Sequence, residues 1–477
     1  MKAHIIKFFL VTSIIILFTS CEDFLIREPV LQQTSELTLS TMDGLNNATV
    51  GAYTPFYNTP YYGGDFVLSS EMRGGNGKLR PNHAGWQFDS YVWNFTPENT
   101  QNLWATAYTG IARANNVINA IPDYEGTAEE LQTLQHYKAE CLFIRALSHF
   151  DLVRLYAQPY SYDKSSLGVP VVLETQIAEP ERNTVEEVYQ RVVYDLLEAE
   201  RLFGNYKRTN GADVKGFASR EAAQALLARA YLYMEKWDSA ALYATKVIDS
   251  DAFRMWTAAE YVTVSENENG AWGRETEGPE VIFSIYGATG NSGDPGQNGI
   301  PYMTNPEYHG DAATSNDLLS LYEEGDVRRD LFFTVDDPSL VGVEWTGKYP
   351  SKALNGAATN IPVLRLSEMY LIRAEAILMG ASVSGVTALD DFNAIRTNRG
   401  LPARTSALLL SDIDDERRRE LCFEGHIVYD LARRQLGLER TDYVGSDNED
   451  IPFPDSQWAL PIPQSEINAN DNMVQNP

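Results

Sequence analysis

Residues 219–250 read SREAAQALLARAYLYMEKWDSAALYATKVIDS. Apolar side chains recur at three- and four-residue spacing, the period of one helix face. The stretch divides at residues 235–237 into two helices. In the first, Ala222, Ala225, Ala228 and Ala230 leave room for a neighbour to approach closely, and Leu227, Tyr231 and Leu232 supply bulk.

This small-then-large hairpin resembles a tetratricopeptide repeat, although the strict period of about 34 residues is not visible. A looser copy runs through RLSEMYLIRAEAILMG (365–380) and TALDDFNAIRTNRG (387–400). A third pairs residues 128–157 with 184–203. In the former, Leu131, Leu134, Cys141, Ile144, Leu147 and Phe150 fall on one side. In the latter, Thr184 to Glu187 forms a capping box that opens a helix ending near Phe203. Stacked helix pairs bury a core between neighbours and leave a face free. The expected fold is therefore mostly α, a tetratricopeptide-like helix-pair scaffold spanning mainly residues 98–250 and 365–435.

Two long segments differ. Residues 59–97 carry Gly63, Gly64, Gly74, Gly75, Gly77 and Gly85 among Trp86, Tyr91 and Trp93, and residues 258–314 centre on GATGNSGDPGQNG. Loops this long are functional or disordered, and aromatic richness argues against disorder. They read as irregular binding surface with a few short strands, such as VIFSI (281–285), which makes Tyr286 a packing residue.

The chain opens MKAHIIKFFLVTSIIILFTSC. Lys2 and Lys7 precede an apolar run too short and interrupted to span a bilayer, so residues 1–20 read as a secretory signal. Small Thr19 and Ser20 before Cys21 resemble a lipobox, with Phe18 where Leu is usual. Cys21 is then the acylated first residue of the mature chain. The net charge of −28 becomes about −30 once both lysines leave with the signal. Phosphate or sulfate would be repelled, which argues against nucleic acid and sulfated glycans and favours a neutral or cationic ligand. Length alone would allow two or three domains. Cys141 and Cys422 read as buried free thiols.

Catalytic signatures are sparse. The six histidines form no H-E-x-x-H, and there is no G-x-S-x-G or P-loop. Glu424, His426 and Asp430 offer an acid–base or metal set on paper, but Arg417, Arg418 and Arg419 favour ion pairing instead. SDNED (446–450) reads as a solvated acidic loop rather than a calcium site. No cofactor or metal is expected. Paired carboxylates abound, so a glycosidase stays open by counting alone.

Several stretches, in order, resemble the SusD/RagB family: Cys-Glu-Asp-Phe-Leu at 21–25, FIRALSHFDLVRLYAQP (143–159), LIRAEA (371–376), FNAIRTNRGL (392–401), ERRRELCFEGHIVYDLARR (416–434) as its signature helix, and the ending WALPIPQSEINANDNMVQNP (458–477). Ile427, Val428 and Tyr429 stand where the family more often has an Arg and an aromatic. The resemblance implies one unit over 21–477 with four tetratricopeptide-like pairs and a loop-built binding face. It implies a surface-exposed outer-membrane lipoprotein that captures nutrients, usually oligosaccharides, as a lid over a SusC-like TonB-dependent transporter, without cleaving them. Peptide capture by the same architecture is the alternative. The family's ligand aromatics precede the helix that here runs from about Pro97 to Ala120. That makes Trp86, Trp93 and Asn94 the first candidates, with Arg73 and Arg80 as polar partners and Trp272, Tyr302 and Tyr308 as a second group. Trp104 reads as core, and a plug under a loop is the competing account of Trp86 and Trp93.

Overall fold

The computed structural model describes residues 38–477 except 207, 209–213, 263–271, 273–277, 288–294, 351–358 and 446. Cys21, the signal segment and much of the glycine-rich centre of 287–299 lie outside the described residues. Helix starts are encoded locally. Thr127, Thr184 and Thr387 each accept from the backbone N–H three residues on, while Glu130, Glu187 and Asp390 reach back to the cap's own N–H. Ser219 accepts from Ala222 N at 3.1 Å.

Counting helices of six or more residues among the described residues, the first five are α1 (Met42–Tyr53), α2 (Asp65–Arg73), α3 (Gln101–Ala120), α4 (Ala128–Tyr156) and α5 (Val185–Phe203). Then follow α6 (Arg220–Tyr233), α7 (Trp237–Ile248), α8 (Leu366–Leu378), α9 (Ala388–Asn398), α10 (Leu410–Leu421), α11 (Ile427–Arg433) and α12 (Gln464–Ala469). From α3 to α9 each helix packs on the next, and α8 also packs on α10. All three hairpins read from the sequence are neighbours in this stack. The middle helices are buried all round, as a helix with partners on every side must be. From Ala139 to Tyr156 only Arg154 is not fully buried, and in α6 only Arg220 and Tyr231 are not. Ala228 is wholly buried, so the small residues do mark a close junction. Leu131 is 39% exposed, because the first turns of α4 extend past its neighbours. Cys141 and Cys422 are buried free thiols.

The stretch expected to be one signature helix breaks in two. α10 stops at Leu421, and Phe423 (φ 60°) and Gly425 (φ 81°) turn the chain before α11 begins. Carboxylates in and on either side of that turn point inward. Glu420 accepts from Arg399 Nη2 (2.7 Å), Arg365 Nη1 (2.9 Å) and Arg328 Nη1 (3.1 Å). Burial alone would raise its pKa, but Arg399 and Arg365 hold it well below the usual carboxylate range. Glu424 accepts from Lys348 Nζ (2.8 Å) and Arg365, and Asp430 from Arg417 Nε (2.9 Å). Burial, reinforced by Arg229 and Arg417, pushes His426 well below its ordinary pKa and keeps it neutral. Glu424 and Asp430 of the paper acid–base set are thus tied up in structural ion pairs.

Short strands join distant segments. β1 (Gly77–Leu79) pairs antiparallel with β3 (Ala312–Thr314), Lys78 opposite Ala313. β2 (Val281–Ile285) pairs with β6 (Ile361–Arg365), and β4 (Phe332–Phe333) with β5 (Trp345–Thr346). Tyr286, one residue past β2, is 47% exposed rather than packed.

Candidate ligand-binding site

The β1–β3 pair lays the two loop regions side by side, and Arg80 N donates to Asp311 O (3.3 Å) to extend the pairing. The wholly buried Asp311 carboxylate then organises the first loop. It accepts from Ala84 N (2.9 Å), Trp86 N (2.9 Å) and Arg80 Nε (3.2 Å). Gln87, at φ 59°, sends its side-chain amide to Asp65 Oδ1 (2.8 Å) at the start of α2. Burial raises Asp65 to about 6, the Gln87 bond partly opposing. Held at both ends, the loop presents Trp86 with 40% of its surface exposed.

The second loop supplies the facing rings. Trp86 and His309 have centroids 5.4 Å apart, His309 and Tyr302 5.9 Å, and Tyr302 and Tyr308 4.3 Å. His309 N and Gly310 N both donate to Tyr302 O, which fixes this turn. Phe88, 42% exposed, stacks at 5.9 Å on His83 beside Trp86 in the chain. The result is a band of tilted rings with hydroxyls and one guanidinium at hand. Such a surface can cover the C–H faces of a ligand and bond its hydroxyls.

Two family models match, one described as the SusD family over residues 343–477 and one as starch-binding, associating with the outer membrane, over 23–232. A SusD superfamily protein of Bacteroides thetaiotaomicron is 30% identical, with TM-score 0.81 over 92% of this chain and 100% of that one. The chain belongs to the SusD family. A SusD-like protein of Bacteroides ovatus is 25% identical over 89% of this chain and 82% of its own. Surface glycan-binding protein A of Bacteroides fluxus shares the fold at 23% identity and TM-score 0.74, over 92% of this chain and 99% of that one. SusD-family proteins bind carbohydrate and associate with the outer membrane. Among the described residues no helix is long and apolar enough to cross a membrane.

Within this SusD-family frame the residues singled out from sequence sort sharply. Trp86, Tyr302 and Tyr308, taken from separate loops, come together. Arg80 lies beneath them as a partner of Asp311, its side chain one-fifth exposed. Trp93 does not join them. It is 3% exposed, its indole N–H donates to Arg73 O (3.1 Å), and its ring meets Trp458 edge-on at 5.0 Å. Trp93 is the plug under the loop. Arg73 is 1% exposed with its guanidinium 4.4 Å over Trp93, and burial lowers its pKa to about 10, so it reaches no ligand. Trp272 is also core, packed on Trp256 (5.9 Å) and Tyr261 (6.0 Å) beneath Lys348. Asn94 is exposed, but its amide donates to Asp89 Oδ1 (3.0 Å) and its carbonyl accepts from Asn99, which closes a turn. Trp104 is buried, as read, edge-on to Tyr156. Sequence reasoning missed His309 and Phe88. Their signal was adjacency, each lying within two residues of a chosen aromatic.

Proposed function

We propose that this protein is a cell-surface lipoprotein, acylated at Cys21 after loss of residues 1–20. The rest, one unit over 21–477, captures an oligosaccharide on the Trp86–His309–Tyr302–Tyr308 face. It passes the ligand, uncleaved, to a SusC-like TonB-dependent transporter in the outer membrane. The observation that carries the reading is the convergence of rings from two distant loops onto one surface, Trp86 exposed and His309, Tyr302 and Tyr308 half-buried beside it. The net charge of −28 suits a neutral sugar, and glycan binding by the Bacteroides fluxus relative points the same way. A hydrolytic role gains no support at this face, since Asp311 is already engaged by three donors.

The test is titration calorimetry of the mature chain with a panel of neutral oligosaccharides, at low and high salt, with product analysis for cleavage. Trp86→Ala and Tyr302→Ala should each lose about 1 kcal/mol or more, roughly fivefold in Kd, with little salt dependence. Unchanged binding by both variants refutes the site. Binding of basic peptides that weakens with salt replaces glycan by peptide capture. Mass spectrometry of the mature N-terminus checks acylation, and an unmodified first residue refutes it.

A further inference from the structure

A second cleft, of about 350 Å³, lies between α3, the segment 170–180 and α12, and shares no lining residue with the Trp86 face. Its walls are tied together by direct bonds. Tyr108 O–H donates to Pro170 O (2.8 Å), Asn470 Nδ2 to Pro180 O (2.9 Å), Asn472 Nδ2 to Glu179 O (2.8 Å) and Arg182 Nη1 to Val474 O (2.8 Å). The cleft is therefore preformed. Trp104, Val171, Val172, Leu173, Ala469 and Met473 make its lining largely apolar.

Two features of the rim point to an occupant. Apolar side chains stand in water there, with Ile177 fully exposed, Val474 55% exposed and Leu173 37% exposed. Such a concentration marks a contact surface. The rim is also acidic. Glu174 and Glu466 line the cleft, and Glu179, Glu181 and Asp471 are exposed one residue from lining positions. Residues 170–181 and 464–477 contain no lysine or arginine. Arg182, next in the chain, is buried and donates to backbone carbonyls. The Glu466 carboxyl is raised by burial, with the Trp104 indole opposing, and has no cation beside it among the described residues.

We propose that this cleft docks a segment of a partner protein in which an apolar side chain is flanked by lysine or arginine. Charge excludes the nearer occupants. The chain's own residues 21–37 carry four acids against one arginine, and a second copy brings a net charge of −28. Both repel the rim. A cationic segment lays its apolar side chain between Leu173 and Met473 and its charges against Glu174 and Glu466.

The mature chain is titrated by calorimetry with an acetylated, amidated peptide of alternating leucine and lysine, and with matched leucine–glutamate and serine–lysine peptides. Only the leucine–lysine peptide should bind saturably. Ile177→Ser and Glu466→Gln should each weaken it at least fivefold, while Glu324→Gln, equal in charge change but outside the cleft, should not. Ile177 is fully exposed, so its replacement leaves the fold intact. Absence of saturable binding, equal binding of the serine–lysine peptide, or indifference to both cleft variants overturns the proposal. Binding that requires free peptide ends also overturns it, because it marks captured peptide rather than a docked protein segment.

Discussion

Replacing Asp311 by alanine tests how the site is held together. The carboxylate takes two backbone N–H donors and one guanidinium. At about 1 kcal/mol for each neutral donor and about 1.5–3 for the charged one, the gross loss is about 4 kcal/mol. Ala84 and Trp86 are exposed, so water re-satisfies their amides, and about half of that, about 2 kcal/mol, should reach folding stability. Binding suffers separately. Residues 84–86 must be ordered again when ligand arrives, at about 1–2 kcal/mol for each backbone residue fixed fully. Partial disorder then weakens Kd by roughly five- to thirtyfold. Asp311→Asn, which keeps one acceptor oxygen, should fall between. Thermal melting and calorimetry on the same oligosaccharide separate the two effects. A lowered melting temperature with unchanged Kd refutes the positioning role, and no change in either refutes the bonding.

Ala228→Trp should overpack the α6 junction and cost about 1–3 kcal/mol or more in urea unfolding, and an unchanged midpoint would contradict the wholly buried alanine. Glu420→Leu leaves Arg328, Arg365 and Arg399 short of a buried counter-charge and should cost about 3–5 kcal/mol. Stability equal to wild type would show that the network tolerates its loss. Asp65, raised to about 6, binds its proton more tightly folded than unfolded, so stability falls as pH rises through that value. Asp65→Asn should therefore melt higher than wild type at pH 7.5, with the gain disappearing below pH 4. A constant difference across that range would mean that Asp65 is not the titrating group.

The scaffold was legible because its determinants are local. Thr184 and Glu187 announce a helix start within four residues, and the alanines of α6 state a close approach without reference to the neighbour that makes it. The candidate binding face was half legible. Loop aromatics stand out in sequence, but which of them face water depends on partners far along the chain. Trp93 is buried by Trp458 and Arg73, and Trp272 by Trp256, Tyr261 and Lys348. No periodicity carries that information. The break in the signature stretch rests on Phe423 and Gly425 leaving the helical region, which brings Glu424 to buried Lys348 and Arg365, a demand set by distant charges.

Asp311 lies 225 residues from Trp86 in the chain. Closing so long a loop is entropically costly, and non-local pairings of this kind form late. Ligand affinity therefore reports completed folding, because a chain with only its first half in place has Trp86 but neither the tether nor the facing tyrosines. The converse follows by mass action. Glycan at a hundredfold excess over its Kd would add about 2.7 kcal/mol to the native state. Since the face needs both halves, that protection reaches segments far from any sugar contact. A binding face built this way makes the fold hardest to unfold when its ligand is most abundant.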